Sequence, residues 1–143
     1  MKIITLFTCS FILLASCMTN KAAMSTAQAP LYGTKWSLKK IHDESGSKDI
    51  STKAFIKFDS EKKSAGGNGS CNSFGSSTTV DGEKMTIQNI FSTKMYCEAV
   101  QETENDFLKQ LGKVTRYEIA DSTLKLFGGE VLLLEFAAVT EME

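Results

Sequence analysis

Apolar and polar residues alternate in short runs along most of the chain, and one later stretch repeats at helical spacing instead. Tyr32 to Leu38 alternates as a first strand, and Ala54, Ile56 and Phe58 mark one face of a second over Ala54 to Asp59. Glu61 to Ser70 (EKKSAGGNGS) reads as a turn-rich loop. A strand over Asn72 to Val80 meets Met85-Thr86-Ile87 through Asp81-Gly82, a hairpin dipeptide. Gln88 to Cys97 shows no period and is expected to be irregular. From Glu98 to Leu111 the residues Val100, Thr103/Glu104, Phe107, Leu108 and Leu111 fall on one helical face, with Gly112 as the stop. Glu98, Glu102, Glu104 and Asp106 crowd the first half of that helix, where the macrodipole favours carboxylates, and read as a solvated face.

Three more strands follow: Val114 to Ile119, Thr123 to Phe127 and Val131 to Phe136. The last two join through Gly128-Gly129. A three-residue loop that includes Glu130, with a glycine at a bulge, sets Leu124 and Leu126 against Leu134 and Leu132 and keeps Phe136 on the same face. About seven short strands and one helix predict a mainly β (α+β) domain. Such elements suit a mostly antiparallel, curved sheet.

The N-terminus carries a different pattern. Met1-Lys2 is positive and Ile3 to Leu14 is apolar, too short for a bilayer that needs about 20 residues. Leu14-Ala15-Ser16-Cys17 has the form of a lipobox, whose cysteine takes a diacylglyceryl group before cleavage. Residues 1–16 are then a lipoprotein signal peptide, and acyl chains such as palmitate on Cys17 anchor the remainder to a membrane. The competing reading is an ordinary secretory peptide cleaved after Ala27-Gln28-Ala29, a site set far behind the apolar run. Residues 17–30 carry the lipidated cysteine and a small, polar tether. Residues 31–143 form the domain. Met18, rather than aspartate, follows Cys17, which in an enterobacterial setting predicts the outer membrane, facing the periplasm.

Composition narrows the function classes. The chain has 143 residues, and 16 Lys+Arg against 17 Asp+Glu give a net charge of −1. Removing Lys2 with the leader makes the rest more acidic, so no basic surplus exists to bind nucleic acid. One histidine leaves no His-rich metal site, and no cofactor is expected. Of four cysteines, Cys9 leaves with the leader and Cys17 is lipidated, so Cys71 and Cys97 remain. In an exported protein that pair suggests a disulfide, closing a loop of roughly 27 residues and contributing about 3.5 kcal/mol by loop-closure entropy. Buried free thiols are the alternative in a compartment that is not oxidising.

Several motifs in order resemble one family. Gly67-Asn68-Gly69-Ser70-Cys71-Asn72-Ser73-Phe74-Gly75 is similar to the GxxGCNxxxG stretch of the META/HslJ domain family, and Ser92-Thr93-Lys94-Met95-Tyr96-Cys97 to its STxMxC segment. Trp36-Ser37-Leu38 fits its opening, Phe107-Leu108 to Leu111 its helix, and Leu124-Lys125-Leu126 with Leu133-Leu134-Glu135-Phe136 its closing strands. The resemblance implies a mainly β (α+β) domain: a partly open, mostly antiparallel β-barrel of about seven strands with one helix on its concave side. It also implies envelope lipoproteins linked to stress responses, without an established enzymatic activity. Gly67, Gly69, Asn72, Thr93 and Met95 are then structural motif residues. By analogy of fold with lipid-binding pilotins, an apolar ligand or an envelope protein partner is expected for a monomer.

Other candidates weigh less. The Gly66-Gly67-Asn68-Gly69-Ser70 stretch lacks the phosphate-loop lysine, so its glycines are read as packing devices. His42, in the polar run IHDESGSKD, would serve a periplasmic hydrolase with a serine nucleophile, but no nucleophile elbow occurs. Tyr32, Trp36 and Phe58 are expected in the core, and Lys39-Lys40 and Lys62-Lys63 in solvent. A module that only bridges envelope proteins is the third reading.

Overall fold

The computed structural model describes residues 28–139. Its strands are β1 (Lys35–Asp43), β2 (Gly46–Asp49), β3 (Phe55–Asp59), β4 (Ser64–Asn68), β5 (Ser73–Asp81), β6 (Lys84–Ser92), β7 (Arg116–Ala120), β8 (Thr123–Gly128) and β9 (Val131–Val139), with helix α1 (Gln101–Leu111) between β6 and β7. Neighbouring strands pair antiparallel in the order β2-β1-β3-β4-β5-β6-β7-β8-β9, and β1 pairs again with β9 from Lys35↔Val139 to Ile41↔Leu134. That second pairing closes the sheet into a ring. Its thin point is β6 against β7, where Lys84↔Arg116 is the only paired position. Two bonds beside it, Met85 N–H to Thr115 O and Tyr117 N–H to Glu83 O, hold the seam. The mainly β, partly open arrangement read from the sequence is therefore present, as a ring with one weak seam.

Nine strands replace the expected seven, and both additions correct the sequence reading. The segment holding His42 is a hairpin, β1 with β2, paired from Lys40↔Asp49 to Asp43↔Gly46. β2 (GSKD) is exposed at every position, so it has no apolar face for periodicity to reveal. β4 (SAGGN) lies inside the presumed loop and pairs on both sides, with β3 and β5. Small side chains suit it because the backbones approach closely: a Cβ at Gly67 would sit 2.0 Å from Phe55 O. β6 also runs on to Ser92, past its expected end, through a bulge that sets Asn89 and Ile90 opposite Ser76.

The closing hairpin differs in register. Gly128 pairs with Val131 across the two-residue turn Gly129-Glu130, and Gly129 takes the positive φ (62°) such a turn needs at its first position. Leu124 faces Phe136 and Leu126 faces Leu134, with the bulge at Leu126/Phe127. The face was read correctly, but the partners shift by two residues because the irregularity lies within the strand rather than in the loop.

Helix α1 starts at Gln101 rather than Glu98, after a turn closed by Val100 N–H on Cys97 O. Gly112 ends it in a right-handed conformation, not the left-handed one that usually makes glycine a stop. Phe107 is fully buried with its ring edge-on to Phe74 and Phe136, at centroid distances of 5.5 and 6.0 Å. Trp36, Ile56, Met85, Leu111, Leu124, Leu126 and Leu134 are likewise fully buried and fill the ring with side chains. Trp36 Nε1 donates to Leu31 O, which pins the chain entry to the core. Phe58 is also core, whereas Tyr32 is largely exposed.

The pairing also sorts the loops to two ends. The entering chain lies at one end with the β3–β4, β5–β6 and β7–β8 turns, and Ala29 N–H bonds Asp121 O there. At the far end lie the β1–β2 tip, the β4–β5 connection, the segment leading into α1 and the β8–β9 turn.

Candidate functional site

The motif residues meet at the far end. Cys71 and Cys97 are disulfide-bonded with Cα atoms 5.9 Å apart, tying the β4–β5 connection to the segment before α1. Next to the bond, buried Asn72 uses every polar atom it has. Its Oδ1 accepts from the Thr93 hydroxyl and from Met95 N–H, both at 2.8 Å. Its Nδ2 donates to Met95 O (2.9 Å) and to Glu104 Oε1 (2.6 Å), and its carbonyl accepts Gly69 N–H. Glu104 Oε2 in turn accepts Cys71 N–H (2.9 Å) and Asn72 N–H (2.7 Å). A network satisfied this fully fixes its members in one geometry.

Glu104 corrects the sequence reading. It is 3% exposed, not part of a solvated acidic face. Burial raises its pKa, but the Asn72 and Cys71 donors and the charge of Lys94 outweigh it, and the net value lies below the ordinary carboxylate range. The available signal was its helical spacing with Phe107 and Leu111, which put a carboxylate on the core face. Gly69 is required for this contact, since a Cβ there would come 2.7 Å from Glu104 Oε2.

The network presents an apolar surface. Met95 contributes its backbone to Asn72 while its side chain is 60% exposed; Tyr96 is 77% exposed and Phe91 70%. Phe91 lies over Gly75 of β5, where a Cβ would collide with its ring. Between this segment and α1 runs a groove of about 310 Å³ bordered by Thr93, Met95, Tyr96, Gln101 and Leu108. Three large apolar side chains within six residues are thus held on a backbone braced by a disulfide and an asparagine.

The other candidates fall elsewhere. His42 Nε2 lies 2.8 Å from Glu135 Oε1, and no serine hydroxyl bonds its ring among the described residues. The Gly66-Gly67-Asn68 stretch is strand β4, with its backbone engaged in the sheet, so it forms no phosphate cradle. Lys40 pairs with Asp49 and Lys62 with Asp59 at the surface. Among the described residues no group of three or more His, Cys, Asp or Glu is placed to hold a metal ion, and no helix is long and apolar enough to cross a membrane. Cys17 and the signal-peptide segment lie outside the described residues.

A ring-like antiparallel sheet with one helix among the described residues, its loop clamped by a disulfide, an asparagine and a buried glutamate, defines a small β-domain class. The sequence matches the META domain family over residues 29–140, and the chain belongs to that family. Among solved structures, the chain is similar to an NMR structure of a protein from Burkholderia xenovorans. The TM-score is 0.66 at 18% identity, covering 78% of this chain and 85% of that one. A second NMR structure gives a TM-score of 0.55 at 18% identity, with 73% and 88% covered. At these identities the likeness is one of fold. No curated protein matches the sequence.

Proposed function

We propose that this chain is a non-enzymatic lipoprotein of the cell envelope, anchored through Cys17 at the outer membrane, whose META domain binds a protein partner in support of stress tolerance. One observation carries the choice of a protein over an apolar small molecule. The ring is filled by its own side chains, while Phe91, Met95 and Tyr96 stand exposed on a braced segment. Bracing the backbone that carries apolar side chains lowers the chain entropy lost on binding. The described chain enters the domain at the end opposite this segment. A hydrolytic role through His42 has less support, because no serine hydroxyl bonds its ring among the described residues.

The test joins two measurements. Intact mass of the protein extracted without reductant gives an acylated chain beginning at Cys17 and lighter by two hydrogens for the disulfide. In cells, a photoreactive phenylalanine analogue in place of Tyr96 crosslinks to one dominant protein, whereas the same analogue in place of Lys57 does not. An unacylated chain overturns the anchor. Equal or absent crosslinking at the two positions overturns the binding surface.

A further inference from the structure

The exposed segment of the far end adjoins an open sheet edge. Past Met85, β6 is paired on its β5 side alone, because β7 meets it only around Lys84↔Arg116. Thr93 N–H bonds Ser73 O on the β5 side, so Ser92, one residue earlier, turns its N–H and C=O the other way. Neither group has a hydrogen-bond partner among the described residues. Thr86 to Ser92 (TIQNIFS) carries no charge and no proline to blunt this edge, and Ser92 lies beyond the bulge at Asn89 and Ile90. Such an edge is a template for another extended chain.

The surroundings define the chain that fits. Ser92 borders the groove against α1 and lies opposite Phe74, whose ring meets Phe107 of the helix. A residue bonded to Ser92 therefore turns its own side chain toward α1, where Leu108 offers apolar contact. Charge narrows the choice further. Residues 91–108 hold one lysine, Lys94, against four carboxylates, Glu98, Glu102, Glu104 and Asp106. Glu104 is engaged in the buried network and Lys48 reaches Glu102, while Glu98 and Asp106 have no ion partner among the described residues. A second copy docked on its own β6 edge brings the same negative field to the contact. A positively charged chain is drawn to it.

We infer that the occupant of this edge is an extended, net-positive segment of another protein, added to β6 as a strand at Ser92 with alternate apolar side chains toward Leu108. The inference rests on the protein-binding surface proposed above and gives that surface a mode of recognition.

The experiment titrates the ¹⁵N-labelled protein with acetyl-KVKVKVK-amide, with its counterpart in which glutamates replace the lysines, and with a version N-methylated at the valines. The last keeps every side chain and charge but loses the N–H groups that meet Ser92. The lysine peptide is expected to shift the amide resonances of residues 90–96 and 101–108, and the other two to bind at least about tenfold more weakly. Ser92→Pro removes the outward N–H without touching the β5 ladder and is expected to cause the same loss. The exposed-rim variant Glu98→Gln/Asp106→Asn weakens the lysine peptide and leaves the N-methylation penalty unchanged. Equal binding of the parent and N-methylated peptides overturns strand addition, and equal binding of the lysine and glutamate peptides overturns the charge assignment. Shifts of the same amides on concentrating the protein alone make the occupant a second copy and overturn the inference. No shift with any peptide, with crosslinking at position 96 retained, overturns the strand mode and leaves the protein-binding surface standing; loss of that crosslinking removes the surface itself.

Discussion

Asn72 and Glu104 concentrate much of the far end's order in two side chains. Glu104→Gln keeps the shape but turns an amide donor toward the N–H groups that now point at a carboxylate. It is expected to lower stability by about 1–3 kcal/mol at neutral pH, measured by denaturant unfolding. The pH dependence has a definite sign. Because the folded pKa is lowered, the glutamate's contribution is complete above the ordinary carboxylate pKa and is lost as pH falls through the lower folded value. The gap between parent and variant therefore closes on acidification below about pH 4. Met95→Ala makes the contrasting case. Only the Met95 backbone is bonded, so stability stays within about 0.5 kcal/mol, while crosslinking at position 96 falls. The motif residues were visible in the sequence, but their partner was not. Helical spacing with Phe107 and Leu111 sets Glu104 apart from Glu102, which is exposed and reaches Lys48, but the donors that hold it come from the chain 32 residues earlier.

Strands with an apolar face were legible, and those whose reason for pairing lies in another strand were not. Ile56 and Phe58 announce β3, whereas β4 has Ala65 as its one apolar side chain and is held because its neighbours need a thin backbone beside them. Gly67→Ala forces a methyl against Phe55 O and is expected to cost about 3 kcal/mol or more, read as a drop in thermal midpoint. The same blindness explains the closing hairpin. Two-residue alternation specifies a face, but a bulge at Leu126/Phe127 moves the partners without changing that face. Gln110 escaped notice for a related reason: the helical pattern marked Leu108 for the core, and the tertiary setting buried Gln110 more completely.

At the scale of the molecule the ring has a strong closure and a weak one. β1 and β9 pair along their length, while β6 and β7 meet at one position. Hydrogen exchange is expected to release the amides of Met85 and Tyr117, which bridge the seam, well before those shared by β1 and β9. Reducing Cys71–Cys97 is expected to lower stability by about 3.5 kcal/mol, with the loss seen first as faster exchange in residues 93–100.

That covalent bond also sets a schedule. In the reduced chain the segment carrying Phe91, Met95 and Tyr96 is held only by strand pairing with β5 and by the hydrogen bonds of Asn72. Oxidation adds a covalent tie between that segment and the β4–β5 connection. Under the proposed function, full bracing of the binding segment is therefore reached only once the two sulfurs have met an oxidant.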